Sequence, residues 1–157
     1  MNALLLPIAF CAGIAIALQT TLNGQLARSI GGDSLTASLV SFIIGGLFLA
    51  LIALLRGGTV PSLAQVPAQP LWSLLGGMLG AGALLCNVLL APRIGLTLLV
   101  GLAVVGQLMS SLVIDHFALL GATARPISAA KLVGALLMIA GLTVLVFGDR
   151  VSRALNG

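Results

Sequence analysis

Apolar runs long enough to cross a bilayer follow one another along this chain with little between them. They occupy residues 3–26, 35–55, 71–91, 95–115 and 128–147. A hydrocarbon core about 30 Å thick is crossed by about 20 residues of α-helix. Inside it each backbone N–H and C=O must find a partner within the protein, which helices do by themselves. The sequence therefore predicts an all-α integral membrane fold of five transmembrane helices, a single transmembrane domain over residues 1–157. An odd number of crossings puts Met1 and Gly157 on opposite sides of the membrane.

Composition excludes the main competing classes. The chain is 60% hydrophobic and 6% charged, whereas a soluble domain carries about 25% charged residues. Its length of 157 residues leaves no room for an appended soluble domain beside five crossings. The formal charge of +4 comes from Lys and Arg placed singly at helix ends. With no basic run and no interleaved aromatics, nucleic acid is not an expected partner, and the lipid bilayer is. Cys11 and Cys86 fall inside predicted helices, where small apolar filler is the expected role rather than a disulfide or metal site. No Lys or Arg precedes the first run, which is also too long for a signal peptide, so the first helix is expected to be kept.

The charges bear on orientation. Call the N-terminal side of the membrane side one. Its loops carry Arg56, Arg125 and Lys131, and side two carries Arg28, Arg93, Arg150 and Arg153. Orientation follows an excess of Lys and Arg in cytoplasmic loops, and three against four is almost no excess. Two readings follow. Either a weak bias still inserts every copy one way, or copies insert both ways and pair head to tail. Five helices are few to enclose a solute path, which favours pairing, as an antiparallel homodimer or with an oppositely oriented homologous chain. An oriented homodimer stays open as the alternative.

The connections are short. Asp33 or Ser34 is positioned to cap the second helix, after the turn that follows Arg28. The longest loop covers residues 59–70 and contains Pro61, Pro67 and Pro70. Trp72 opens the third helix, at the depth where an indole ring anchors at the water–lipid boundary. Pro92 is expected to end that helix, and Gly95 starts the fourth. The last loop covers residues 119–126. Glycine is frequent inside the runs, as at Gly45, Gly46, Gly76, Gly77, Gly80, Gly82, Gly101, Gly106, Gly134 and Gly141. Such residues let helices approach closely or give a moving protein its flex points. A short echo links residues 13–19 with 101–107.

Polar residues within the runs are few, and a polar group in lipid needs a partner. Gln19 and Asn23 stand four apart and share a face of the first helix; Asn87 stands alone in the third. Gln107, Ser111 and Asp115 form a stripe along the fourth, flanked by Ser110 and followed by His116. Gln107 lies near the midplane, and Asp115 lies about 12 Å nearer side one, at 1.5 Å rise per residue. Gln19, Asn23, Asn87, Gln107 and Ser111 are candidates for contact with a solute. Helix–helix hydrogen bonding is the alternative for Gln19, Asn23 and Asn87. Asp115 and His116 are candidates for carrying a coupling proton, and a plain interfacial helix end is the alternative.

The chain contains no glutamate, and its acids are Asp33, Asp115 and Asp149. A mid-membrane carboxylate that holds a cation and a proton in turn is therefore missing. A neutral or zwitterionic solute fits better than a permanent cation; an anion would have to use Arg93 or a helix N-terminus. No nucleophile–base pair, metal cluster or phosphate loop is present, so neither catalysis nor a metal or cofactor is expected.

The segment Gly106-Gln107-Leu108-Met109-Ser110-Ser111-Leu112-Val113-Ile114-Asp115-His116-Phe117 resembles the GQ…S…IDHFG stretch of the YdcZ-like family, within the drug/metabolite transporter superfamily. Alanine stands at 118 in place of the family glycine. Leu18-Gln19 with Asn23-Gly24 resembles the first-helix pattern, and Ala91-Pro92-Arg93-Ile94-Gly95 resembles the turn between the third and fourth helices. The resemblance spans essentially the whole chain. It implies a multi-pass protein of the bacterial inner membrane and a five-helix half-unit, two of which are fused with inverted topology in larger relatives. It also implies transport; with the polar residues read above, the expectation is export of a small solute by alternating access, the solute contacted near the midplane by Gln107 and Gln19 with Ser111 nearby, and Asp115 the candidate for proton coupling. A dual-topology channel and a non-transporting accessory subunit are the alternatives.

Overall fold

The computed structural model describes residues 5–57 and 62–155, with side chains described up to residue 148. Met1, Gly157, Thr59 and Pro61, and the side chains of Asp149, Arg150 and Arg153, lie outside the described residues. Five long helices are present: α1 (Leu5–Ser29), α2 (Ser34–Arg56), α3 (Leu71–Ile94), α4 (Leu96–Phe117) and α5 (Ala129–Leu155). Single 3₁₀ turns occur at Val66–Ala68 and Leu119–Gly121, and no strand occurs among the described residues. All five helices are long and apolar enough to cross a membrane. The side chains agree: Phe10 is 72% exposed, Leu55 79% and Met78 72%. Water would not tolerate that much bare apolar surface, whereas lipid tails solvate it.

Three helices run three or more residues past the C-terminal boundaries expected from the sequence. Helix α1 continues past residue 26 to Ser29. Its stop is set by the glycines that follow: Gly31 and Gly32 take φ of 83° and 88°, and the Gly32 N–H closes on the Ala27 carbonyl at 2.8 Å. Pro92 lies inside α3 rather than at its end. A proline so close to a C-terminus removes only one hydrogen bond, so the helix runs on to Gly95, where φ is +82°. Helix α5 passes residue 147 to reach Leu155; the charges there mark where hydrophobicity ends, and neither proline nor glycine interrupts residues 149–155.

Of the two residues positioned to cap α2, Asp33 is the one that does so. Its carboxylate accepts the N–H groups of Leu35 and Thr36, both at 3.0 Å, and the Thr36 hydroxyl. The Thr36 hydroxyl, then the Thr36 N–H, hold this carboxyl below its ordinary value of 3.8. A group whose folded value is lowered stabilises the fold above its unfolded value, and that contribution is lost as pH falls through the folded one. Asparagine caps about as well without the charge. The melting-midpoint advantage of the native chain over Asp33→Asn is thus expected to shrink as detergent samples are taken below 3.8; an advantage that grows in acid contradicts the assignment.

The C-terminus of α4 carries a strained residue. Ala118 caps it in the left-handed region at φ 51°, with its N–H donated to the Ile114 carbonyl. Glycine, which lacks the Cβ penalty, is the residue favoured at such a position. Ala118→Gly is expected to stabilise the protein by about 0.5–1 kcal/mol, less than the full left-handed cost because glycine also loosens the unfolded chain. A lower melting midpoint for Ala118→Gly contradicts this.

The helices group into two compact units, Met1–Arg93 and Ile94–Gly157. In the first, α1 pairs with α2. Its buried centre is small: Ala27 from α1, Ala37 from α2, and Leu84 and Val88 from α3, with Leu26 packed against them. Gly80 of α3 faces the Phe42 ring of α2, which would lie 3.7 Å from a Cβ built there. In the second unit, α4 pairs with α5. Gly101 permits the closest approach, since a Cβ built on it would meet Leu142 at 2.8 Å. Close packing was one of two roles expected for the helical glycines, and Gly101 and Gly80 fill it. Gly45, Gly46, Gly76, Gly77, Gly82, Gly106, Gly134 and Gly141 meet nothing within 4 Å.

Candidate functional site

The site starts from the register of α1 on α2. These helices run antiparallel through a short turn, and Ala27 and Ala37 share the buried core. Four residues back along α1 is Asn23, and four residues on along α2 is Ser41. The register that brings the alanines together therefore sets Asn23 opposite Ser41, about 6 Å farther along the helices. Asn23 is 6% exposed, and its Nδ2 donates to Ser41 Oγ at 3.1 Å. One turn deeper, Gln19 Nε2 donates to the same oxygen at 3.4 Å. A single serine thus holds two amides. Gln19 lies about 3 Å from the middle of α1 and Ser41 about 6 Å from the middle of α2, at 1.5 Å per residue.

Ser41 differs from several other hydroxyls on the helices. Thr20, Thr21, Ser38, Ser111 and Thr143 each donate their proton to a carbonyl three or four residues earlier, which is how such residues satisfy themselves in a helix. Among the described residues Ser41 only accepts, which leaves its proton uncommitted.

A cleft of about 350 Å³ opens beside this cluster, lined by Gln19, Ser41, Phe42, Gly45, Gly46, Phe48 and Leu49. Gly45 and Gly46 leave room on α2 where larger residues would fill it. A second cleft of about 260 Å³ lies between α2 and α3, lined by Leu35, Ser38, Leu39, Phe42, Ala81, Gly82 and Leu85. Its one polar side chain, Ser38, is already bonded to the Ser34 carbonyl at 2.8 Å.

The other residues singled out from sequence are placed as follows. Asn87 is half-buried on α3, next to the core residue Val88. Its amide has no hydrogen bond among the described residues, and it does not join the Gln19–Asn23–Ser41 cluster. Gln107 lies at the middle of α4, exposed, and also without a partner among the described residues. Ser111 turns its hydroxyl to the Leu108 carbonyl at 2.8 Å. Asp115 is half-buried in the last turn of α4; its backbone carbonyl accepts the Arg125 N–H at 2.8 Å, and its carboxylate has no partner among the described residues. His116 Nδ1 accepts the Ile127 N–H at 3.3 Å, and the ring stands edge-on to Phe117 at 4.7 Å. The Arg125 and Ile127 N–H bonds fasten the loop back onto the end of α4. Trp72 sits in the first turn of α3, 56% exposed. Cys11 and Cys86 are exposed free thiols on helix surfaces.

Sequence reasoning missed Ser41. A lone serine in an apolar run usually bonds to its own helix and passes as filler. The available signal was the hairpin register: a turn at residues 30–33 places Ser41 at the depth of Gln19 and Asn23.

The comparisons with known proteins are consistent with this architecture. The model of the family described as "Putative inner membrane exporter, YdcZ" matches residues 4–144, most of the chain. No curated protein and no solved structure matches it.

Proposed function

Because the chain belongs to this YdcZ family of inner-membrane exporter-type proteins, we propose that it exports a small solute by alternating access, working as an antiparallel homodimer of five-helix subunits. The observation that carries the proposal is the mid-membrane polar cluster Gln19–Asn23–Ser41 beside a 350 Å³ cleft. A cluster built only to hold helices together would leave no open volume against it. Five helices with a buried centre of this size do not by themselves enclose a path across a bilayer. A second copy inserted the opposite way supplies the same cluster at the mirrored depth, so the solute meets equivalent groups from either face. The near balance of Lys and Arg between the two sides, three against four, permits both insertions.

In the proposed cycle the solute sits between subunits near the midplane, contacted by Gln19 and Ser41 with Asn23 holding Ser41 in place, and Gln107 is a separate candidate contact. One half rocks against the other to expose the site to each side in turn. Asp115 takes up and releases the coupling proton. The protein performs no bond-making chemistry in this reading. The mostly apolar lining of the cleft favours a carrier over a water-filled pore, which needs a continuous polar wall.

The test is efflux from proteoliposomes loaded separately with neutral, zwitterionic, cationic and anionic amphiphiles. At least one solute leaves saturably and faster than from protein-free vesicles. Gln107→Ala slows that solute about tenfold, the loss of roughly one hydrogen bond in the rate-limiting state. Protein-free rates for every solute contradict transport. Rates unchanged in both Gln107→Ala and Asp115→Asn remove those two residues from the mechanism.

A further inference from the structure

We infer that the cleft beside Ser41 selects an uncharged solute that carries a hydroxyl or amide group, able both to donate and to accept a hydrogen bond, on an aromatic or aliphatic body. The inference rests on the transport reading for its physiological meaning and on the geometry of the cleft for its chemistry.

The polar groups at this wall have hydrogen-bonding capacity left over, of both kinds. Ser41 Oγ receives Gln19 Nε2 at 3.4 Å and Asn23 Nδ2 at 3.1 Å, so its lone pairs are occupied and its proton points to no acceptor among the described residues. Each primary amide uses one N–H in those bonds and retains the other. The Gln19 and Asn23 amide oxygens receive no donor among the described residues. Gln19 and Ser41 line the cleft themselves. A solute that only accepts, such as an ether or ester, would leave the Gln19 oxygen unmatched in a medium without water. A hydroxyl or amide satisfies both sides at once, and an unmatched polar group is costly at this depth.

Charge is disfavoured by the same wall. No ionisable side chain lines the cleft, and an ion taken from water into such a site without a counter-charge carries a large desolvation cost. The rest of the lining is apolar, with the Phe42 and Phe48 rings offering flat surfaces for the body of the solute. The neighbouring cleft between α2 and α3 lacks this pattern because Ser38 has spent its proton on Ser34. The two clefts share Phe42, yet only one combines volume with uncommitted polar groups.

The test uses the full chain purified in detergent and isothermal titration calorimetry with three related probes. 2-Phenyl-1,3-propanediol is neutral and carries two hydroxyl groups, and no other donor, on an aromatic body. Its di-O-acetyl ester keeps the body and loses the hydroxyl donors, and its hemisuccinate ester adds a carboxylate. The parent probe is expected to bind saturably, the di-O-acetyl ester about tenfold more weakly, one hydrogen bond's worth, and the hemisuccinate about tenfold or more weakly because its carboxylate meets no counter-charge. Gln19→Met is expected to bring the ratio of parent to di-O-acetyl ester close to one, because the Gln19 amide oxygen is the acceptor that the ester leaves unmatched, whereas Ser41→Ala removes a donor that both probes can use and weakens both. A purely structural role for Gln19 would weaken all three probes together and leave the ratio unmoved. Absence of saturable binding by the parent, equal binding of the di-O-acetyl ester, or tighter binding of the hemisuccinate overturns the inference. The two readings fail separately. Selective binding without vesicle flux of any solute keeps the inference and loses transport, whereas flux with no preference among the probes keeps transport and loses the inference.

Discussion

Ala37→Leu is expected to destabilise the detergent-solubilised protein by about 3 kcal/mol, the upper part of the range for overpacking a closed core. Ala37 has no exposed surface and sits among Ala27, Leu84 and Val88, where α1, α2 and α3 meet. A leucine there needs volume that only helix separation supplies. Separation also breaks the register that sets Asn23 against Ser41, so the mutation should lower both the melting midpoint and any flux. Two controls isolate the cause. Ala37→Ser, close to alanine in volume, is expected to cost about 1 kcal/mol or less. Leu54→Ala, at a position 75% exposed, should shift stability by no more than about 0.5 kcal/mol. A melting midpoint for Ala37→Leu equal to that of the native chain would show that the three helices do not pack through these residues.

Ser41→Leu is expected to cut saturable efflux by about tenfold or more, the loss of about one hydrogen bond between the Ser41 hydroxyl and the solute. The side chain would also project into the cleft that Ser41 lines. Asn23, only 6% exposed, is left with an N–H that has no acceptor. In a membrane that costs stability about 0.6–2 kcal/mol, so flux is to be normalised to folded, monodisperse protein. Ser41→Thr keeps the hydroxyl and should retain most of the rate. Flux for folded Ser41→Leu within twofold of the native chain would remove the cluster from the solute path.

The contrast between Asn23 and Ser41 shows how much of this protein is legible in its sequence. The five crossings are written in hydrophobicity alone, because lipid allows a run of this length and polarity few other structures. Asp33 is legible as a cap because a short acid after a glycine turn has one local task. The shared face of Gln19 and Asn23 follows from helical spacing. Ser41 is not legible by composition, since its role depends on which residue of the neighbouring helix lies across from it. The helix ends are blurred for a related reason. Charges and Pro92 mark the edge of the apolar run, but the chain stops being helical where Gly32 or Gly95 turns to positive φ. Ala118 shows the same limit from the other side, since a left-handed alanine has no signature of its own. Gln107 and Asn87 stand without partners among the described residues, and the proposed second copy and solute would supply them.

The central claim is that this half-unit works with an oppositely inserted copy, and topology tests it directly. With Cys11 and Cys86 replaced by alanine, a single cysteine is introduced as Asn2→Cys in one protein and Asn156→Cys in another. Intact spheroplasts are treated with a membrane-impermeant maleimide, and the unlabelled fraction is read after lysis. The account predicts that each terminus is labelled from outside in about half of the copies, as near-balanced flanking charges permit. Complete labelling of one terminus and none of the other would contradict it.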